Sequence, residues 1–168
     1  MKKGFTFIEA LVSIVIMAVI VTGIFAVLRV VSASWDIDMG LLELQQQARQ
    51  AMDGMTREIR QAKQQTGRLI TITNAGKKLT FYIPGYTSSV NYDLVGNRII
   101  REHPPNTTKV LANNVNDLSF CCWAIGGASC GTDCTGLHFL KIQMSVSKTV
   151  RSRMLSYSLL EEVRLRNE

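Results

Sequence analysis

The chain has 168 residues, 46% of them apolar, and a formal charge of +6. That length allows one modest domain with extensions. Setting Lys2 and Lys3 aside leaves 17 basic residues against 13 acidic ones, a net +4, too mild a balance to argue for a nucleic-acid protein. Lys148, Arg151, Arg153, Arg164 and Arg166 collect near the C-terminus without forming a block. The plain reading of them is a solvated, slightly basic surface, with DNA binding as the alternative.

From Ala10 to Leu28 nineteen consecutive residues carry no charge. About 20 helical residues, at ~1.5 Å each, cross the ~30 Å hydrocarbon core of a bilayer. Lys2 and Lys3 precede the run, which predicts a cytoplasmic N-terminus and an exported chain after Arg29. A cleaved secretory signal has an apolar run of about 7–15 residues and a small-residue site at its end. This run is longer and ends without Ala-x-Ala. A plain membrane anchor fits the length but leaves Glu9 unexplained, because a carboxylate near the head of an apolar helix costs on the order of a few kcal/mol in hydrocarbon.

The order Lys3-Gly4-Phe5-Thr6-Phe7-Ile8-Glu9 resembles the class III signal of type IV pilins and type II secretion pseudopilins. The resemblance implies cleavage between Gly4 and Phe5 by a prepilin peptidase, N-methylation of Phe5, and an assembly role for Glu9. It divides the chain into a leader (1–4), a transmembrane and filament-core helix (5–31), an amphipathic continuation (32–66) and a β-rich periplasmic head (67–168). Physical reasons support the spacing. Gly4 leaves no side chain at the scissile bond. Cleavage creates a cationic amine on Phe5, and Glu9 of a neighbouring subunit could pair with it. A paired buried charge costs far less than an unpaired one, so such a pair would set the axial register of packed helices. Many family members carry a proline late in the apolar run; this chain has none, and Gly23 is its one weak helix former there.

Past Ser32 the pattern becomes amphipathic. Ile37, Leu41, Leu44, Ala48, Met52, Met55, Ile59 and Ala62 recur at steps of three and four, one helical stripe. A helix is predicted from Phe5 to about Lys63, with Gly40 and Gly54 interrupting the stripe. The stripe is expected to pack on a following sheet rather than form a coiled-coil seam. After Thr66 the period becomes two. Leu79, Phe81 and Ile83; Val90, Tyr92 and Leu94; and Leu140, Ile142, Met144 and Val146 each mark a strand face. A last strand is predicted over Met154–Leu165. Asn74-Ala75-Gly76, Gly96-Asn97 and His103-Pro104-Pro105-Asn106 read as turns or loops. The expected fold is α+β, a long N-terminal helix against a small antiparallel sheet, as in pilins.

Three segments, QQQARQAMDGMTREIRQA, VLANNVNDLSF and VRLRN, are similar to the J-type minor pseudopilins and W-type minor pilins. That likeness implies a scarce subunit at the filament tip that helps start assembly. A major pilin, or a tip module that binds a surface or DNA, is the alternative. The implied partners are other pilin or pseudopilin subunits, the prepilin peptidase and methylase, and the inner-membrane assembly platform. The implied location is the bacterial inner membrane, then a filament of a type IV pilus or a type II secretion system.

Cys121, Cys122, Cys130 and Cys134 follow a C-C-x7-C-x3-C spacing in a Gly-rich stretch expected to form a loop or hairpin end (121–134). An even cysteine count in an exported chain favours disulfides, and the spacing does not match paired CxxC zinc sites. Three connectivities exist. Cys121 with Cys122 is disfavoured because adjacent strand residues point to opposite faces, and which of Cys130 and Cys134 joins Cys121 stays open. A zinc or iron site including Asp133 is the alternative, and no acidic cluster suggests calcium. His103 and His138 have no serine elbow, metal-spaced partner or paired carboxylate beside them. No catalytic residue, metal site or cofactor is expected, and the chain reads as structural rather than enzymatic.

Overall fold

The computed structural model describes residues 6–62, 70–123, 130–131, 134 and 139–165. One helix, α1 (Phe7–Arg60), spans 54 residues; the expected limits at Phe5 and Lys63 lie outside the described residues. The chain divides into two compact units, one ending at Met39 and one beginning at Gly40, and α1 contributes to both.

In the first unit α1 has no proline, and three of its hydroxyl side chains bond to their own backbone. Ser13 Oγ donates to the Glu9 carbonyl at 2.8 Å, Thr22 Oγ1 to Ala18 at 2.8 Å, and Ser32 Oγ to Arg29 at 3.0 Å. A polar group satisfied in this way can sit in hydrocarbon at little cost. The large side chains from Phe7 to Val31 are exposed, and none of the apolar window that could cross a membrane is buried.

In the second unit the predicted stripe turns inward. Leu44, Ala48, Met52, Met55, Ile59 and Ala62 are buried, while Leu41 is half-buried. Gly40 does more than interrupt it. A Cβ at Gly40 would lie 2.8 Å from Val150 Cγ2, so the missing side chain lets the helix approach the strand that ends there. Gly54 has no such neighbour within 4 Å among the described residues. The helix closes with i→i−3 bonds from Gln61 N–H to Glu58 and from Ala62 N–H to Ile59, both 3.0 Å. Arg57 and Arg60 in the last turn complement the helix dipole.

The strands are β1 (Thr71–Thr73), β2 (Lys78–Phe81), β3 (Val90–Val95), β4 (Arg98–Glu102), β5 (Thr108–Ala112), β6 (Val115–Trp123), β7 (Phe139–Val150) and β8 (Arg153–Arg164). They form two antiparallel sheets rather than the single expected one: a five-stranded meander β1-β2-β3-β4-β5 and a three-stranded β6-β7-β8. The break falls at Asn113-Asn114, where Asn114 has φ 59°. That left-handed conformation suits asparagine and turns β6 out of the first ladder. The sheets are then joined by turn carbonyls. Asn97 accepts from the Val115 N–H at 3.0 Å and Gly76 from the Phe120 N–H at 2.8 Å.

The period-two readings hold where the strands are long. Leu140, Ile142, Met144 and Val146 of β7 are buried, as are Leu79, Phe81, Val90 and Tyr92, whereas Leu94 is only half-buried. Arg151 and Ser152, at φ 47° and 66°, form the two-residue β7–β8 turn, the geometry of a type I′ hairpin.

One polar cluster ties α1 to the first sheet. Tyr92 Oη donates to Glu58 Oε2 at 2.6 Å, and Arg101 Nε donates to both Glu58 oxygens at 3.1 and 2.9 Å. Burial, followed by the Glu58 bond and charge, raises the Tyr92 hydroxyl above its ordinary pKa. Burial, the largest single influence, pulls Arg101 down, but the Glu58 bond, the Glu58 charge and the Tyr92 hydroxyl together outweigh it and the net direction is up. Lys148 reaches Glu43 at 2.7 Å and Arg60 lies 3.9 Å from Glu161, which adds links from α1 to the second sheet.

Candidate functional site

The chemistry at the head of α1 begins with Thr6 and Glu9. The Thr6 N–H and Thr6 Oγ1 each donate to Glu9 Oε2 at 3.0 Å, and the Glu9 N–H points back to Thr6 Oγ1 at 3.4 Å. This is a reciprocal capping box, with threonine as N-cap and glutamate as the third helical residue. It satisfies amide groups that the first turn leaves without partners. Glu9 therefore has a local role that its reading as an intermolecular charge missed. The signal was present: Thr-x-x-Glu directly before an apolar run marks a helix start. Both bonds fall on Oε2, and among the described residues none is made to Oε1. Gly4 and Phe5, the expected cleavage and methylation positions, lie outside the described residues, as does the leader.

Farther along, the apolar surface of α1 dips at Gly23, where Ile20, Ile24, Val27 and Leu28 rim a shallow depression. Among the described residues nothing approaches a Cβ at Gly23 within 4 Å. Such a notch admits the side chains or backbone of another helix at close range.

In the head, Cys121 and Cys122 belong to the end of β6 rather than to a loop. Their side chains leave the strand on opposite faces, with Cys122 fully buried and Cys121 half-buried. The structure pairs Cys121 with Cys130 and Cys122 with Cys134, the Cα atoms 5.3 Å apart in each case. Gly131 folds back beside β6 and exchanges two backbone bonds with Cys122, at 3.0 and 3.3 Å. With their sulfurs so paired, the cysteines present no thiolates to a metal. Among the described residues no group of three His, Cys, Asp or Glu is placed to hold one. Asp133 lies outside the described residues.

His103 stacks on Tyr86, ring centroids 4.2 Å apart, and its Nδ1 lies 3.4 Å from both Ser88 Oγ and the Ser89 carbonyl. It braces the loop between β2 and β3. His138 lies outside the described residues. Arg151 lies in the β7–β8 turn and Arg153 directly after it, whereas Arg164 is eleven residues along β8 from Arg153, about 36 Å away at ~3.3 Å per residue. Arg166 lies outside the described residues. The described C-terminal arginines therefore do not share one patch.

Residues 1–25 match the family model described as the prokaryotic N-terminal methylation motif. No curated protein matches the chain. The family match stops well inside the apolar helix and includes Gly4, Phe5 and Glu9. It supports a type IV pilin-like class III signal, hence a processed, membrane-anchored structural subunit that assembles with others of its kind.

Proposed function

We propose that this chain is a minor subunit of a type IV pilus or type II secretion pseudopilus, placed at the filament tip where it helps assembly begin. On this reading prepilin peptidase removes residues 1–4 and Phe5 is methylated. Residues 5–31 then leave the inner membrane to enter the filament core, residues 32–66 continue the helix, and residues 67–168 form the periplasmic head. The observation that carries the reading is the exposed apolar helix with one carboxylate, Glu9, held at its N-terminal end, inside the matched methylation motif. An apolar surface of that extent needs lipid or other helices around it. On this reading Glu9 pairs with the Phe5 amine of a neighbour. The head disulfides belong to the same reading, because they need an oxidising compartment.

Intact-mass measurement on protein from cells with and without prepilin peptidase tests this. The expected mature chain lacks residues 1–4 and carries one added methyl group. A chain that keeps residues 1–4 when the peptidase is present overturns the reading. Equal abundance with the principal filament subunit, measured by quantitative mass spectrometry of sheared filaments, overturns the minor-subunit part alone.

A further inference from the structure

Among the described residues each sheet of the head has two edges, and three of the four are blunted or covered. β1 is only three residues long. β5 pairs irregularly with β4, with a register shift between Ile99 and Ile100. The outer edge of β6 is covered by backbone groups of Asn97, Gly76 and Gly131. The remaining edge, β8, is twelve residues long and pairs with β7 from end to end. Among the described residues no backbone group meets its outer side. Open edges in soluble proteins are ordinarily protected by proline, a bulge or a charge. Met154–Leu160 contains no proline, no charge and no register shift. It does carry Met154 and Leu160, 72% and 56% exposed.

The residue order along this edge indicates what covers it. About Tyr157 the strand is nearly its own mirror image: Ser156 matches Ser158, Leu155 matches Leu159, Met154 matches Leu160, and Arg153 faces a residue of opposite charge, Glu161. In an antiparallel pair, residues directly opposite share a face of the sheet. The faces agree with this. Met154, Ser156, Ser158 and Leu160 are exposed, and Leu155, Tyr157 and Leu159 lie on the more buried side. A second copy laid antiparallel with its Tyr157 opposite this one would set serine on serine, leucine on leucine and Met154 on Leu160. It would also place Arg153 against Glu161 twice. Moving the axis to Ser158 would instead put Glu161 and Glu162 opposite Leu155 and Met154.

We propose that β8 is a self-association edge, through which two copies of this chain join their three-stranded sheets into one of six strands about a two-fold axis at Tyr157. The contact is isologous, so each favourable pair occurs twice. It goes beyond the filament reading and stands without it, since it uses no residue of the N-terminal motif.

The test uses the full-length chain in its own membrane, with two differently tagged copies carrying single added cysteines on the exposed face. The mixture of Ser156→Cys with Ser158→Cys should cross-link under mild oxidation about tenfold more than either variant alone, because only the mixture places the thiols opposite each other. Leu160→Lys on both copies should lower that yield about tenfold, and Arg153→Glu severalfold. The double variant Arg153→Glu/Glu161→Arg should restore it. Arg153, Ser156, Ser158 and Leu160 are exposed, whereas Glu161 is half-buried beside Arg60 of α1, and an unchanged melting temperature of each variant keeps loss of pairing distinct from loss of fold. Equal yields from the mixture and the single variants overturn the proposal. So does a yield indifferent to Leu160→Lys, or capture of a different protein in place of the second copy.

Discussion

The two units of this protein keep their apolar residues in opposite places. From Phe7 to Val31 the large side chains are exposed, whereas Leu44, Met55, Leu79, Phe81, Ile142 and Val163 in the second unit are almost wholly buried. The first unit therefore draws its order from helix bonds and from whatever surrounds it; the second draws its order from its own core. A substitution should be felt where the surroundings of the side chain already exist within the chain.

The sharpest way to break this contrast is a matched pair of truncations. Ile142→Ala, at a fully buried position, should lower head stability by about 2–5 kcal/mol, the usual cost of a buried Ile truncation. Ile16→Ala, at a position 54% exposed, should leave head melting unchanged. Near-ultraviolet circular dichroism of the detergent-solubilised chain follows the head through its four tyrosines, Tyr82, Tyr86, Tyr92 and Tyr157, and equal losses from both variants would abolish the distinction.

Glycines give a second, smaller test. Gly40→Val forces a side chain onto Val150 and should cost about 1–3 kcal/mol by overpacking. Gly23→Ala meets nothing within 4 Å among the described residues and should leave head melting as it was, while disturbing whatever contact the apolar notch makes with another helix. Smaller still is the loss in Tyr92→Phe, which removes one hydrogen bond to the Glu58 carboxylate and should cost about 1–2 kcal/mol.

The same variant has a pH signature. The Tyr92 hydroxyl holds its proton above its ordinary value of 10.0. Its contribution is complete below that pH and is lost as pH rises from there through the folded value. The denaturation midpoint of the wild type should fall above pH 10, and that of Tyr92→Phe should fall less; parallel curves would show that Tyr92 is not the group responsible.

Much of this contrast was legible in the residue order, because it rests on periodicity. The stripe from Leu44 to Ala62 and the alternation from Leu140 to Val146 are long enough for one face to be buried without ambiguity. Shorter features were not legible. β1 has three residues, too few to show a period. The β7–β8 turn uses Arg151 and Ser152, with neither the asparagine nor the glycine that usually marks a type I′ turn. The division into two sheets depends on one backbone conformation, at Asn114. The cysteine spacing permitted three connectivities, and a choice among them needed Gly131 folded back beside Cys122. At the candidate site Glu9 stood out because a charge in an apolar run is costly, but its bond to Thr6 was overlooked in favour of a more distant partner.

The turns at Gly76 and Asn97 carry a consequence for how this head can change over time. Hairpin tips are ordinarily where homologues drift, gaining and losing residues at little cost. Here each tip offers its carbonyl to β6, at 2.8 and 3.0 Å, and so acts as a suture between the sheets. An inserted residue or an epitope tag at either tip would loosen that seam. The stretch from Pro84 to Thr87, exposed throughout and bonded to no strand of the second sheet among the described residues, is the more permissive place for variation and for labels, provided that Tyr86 keeps its stack on His103.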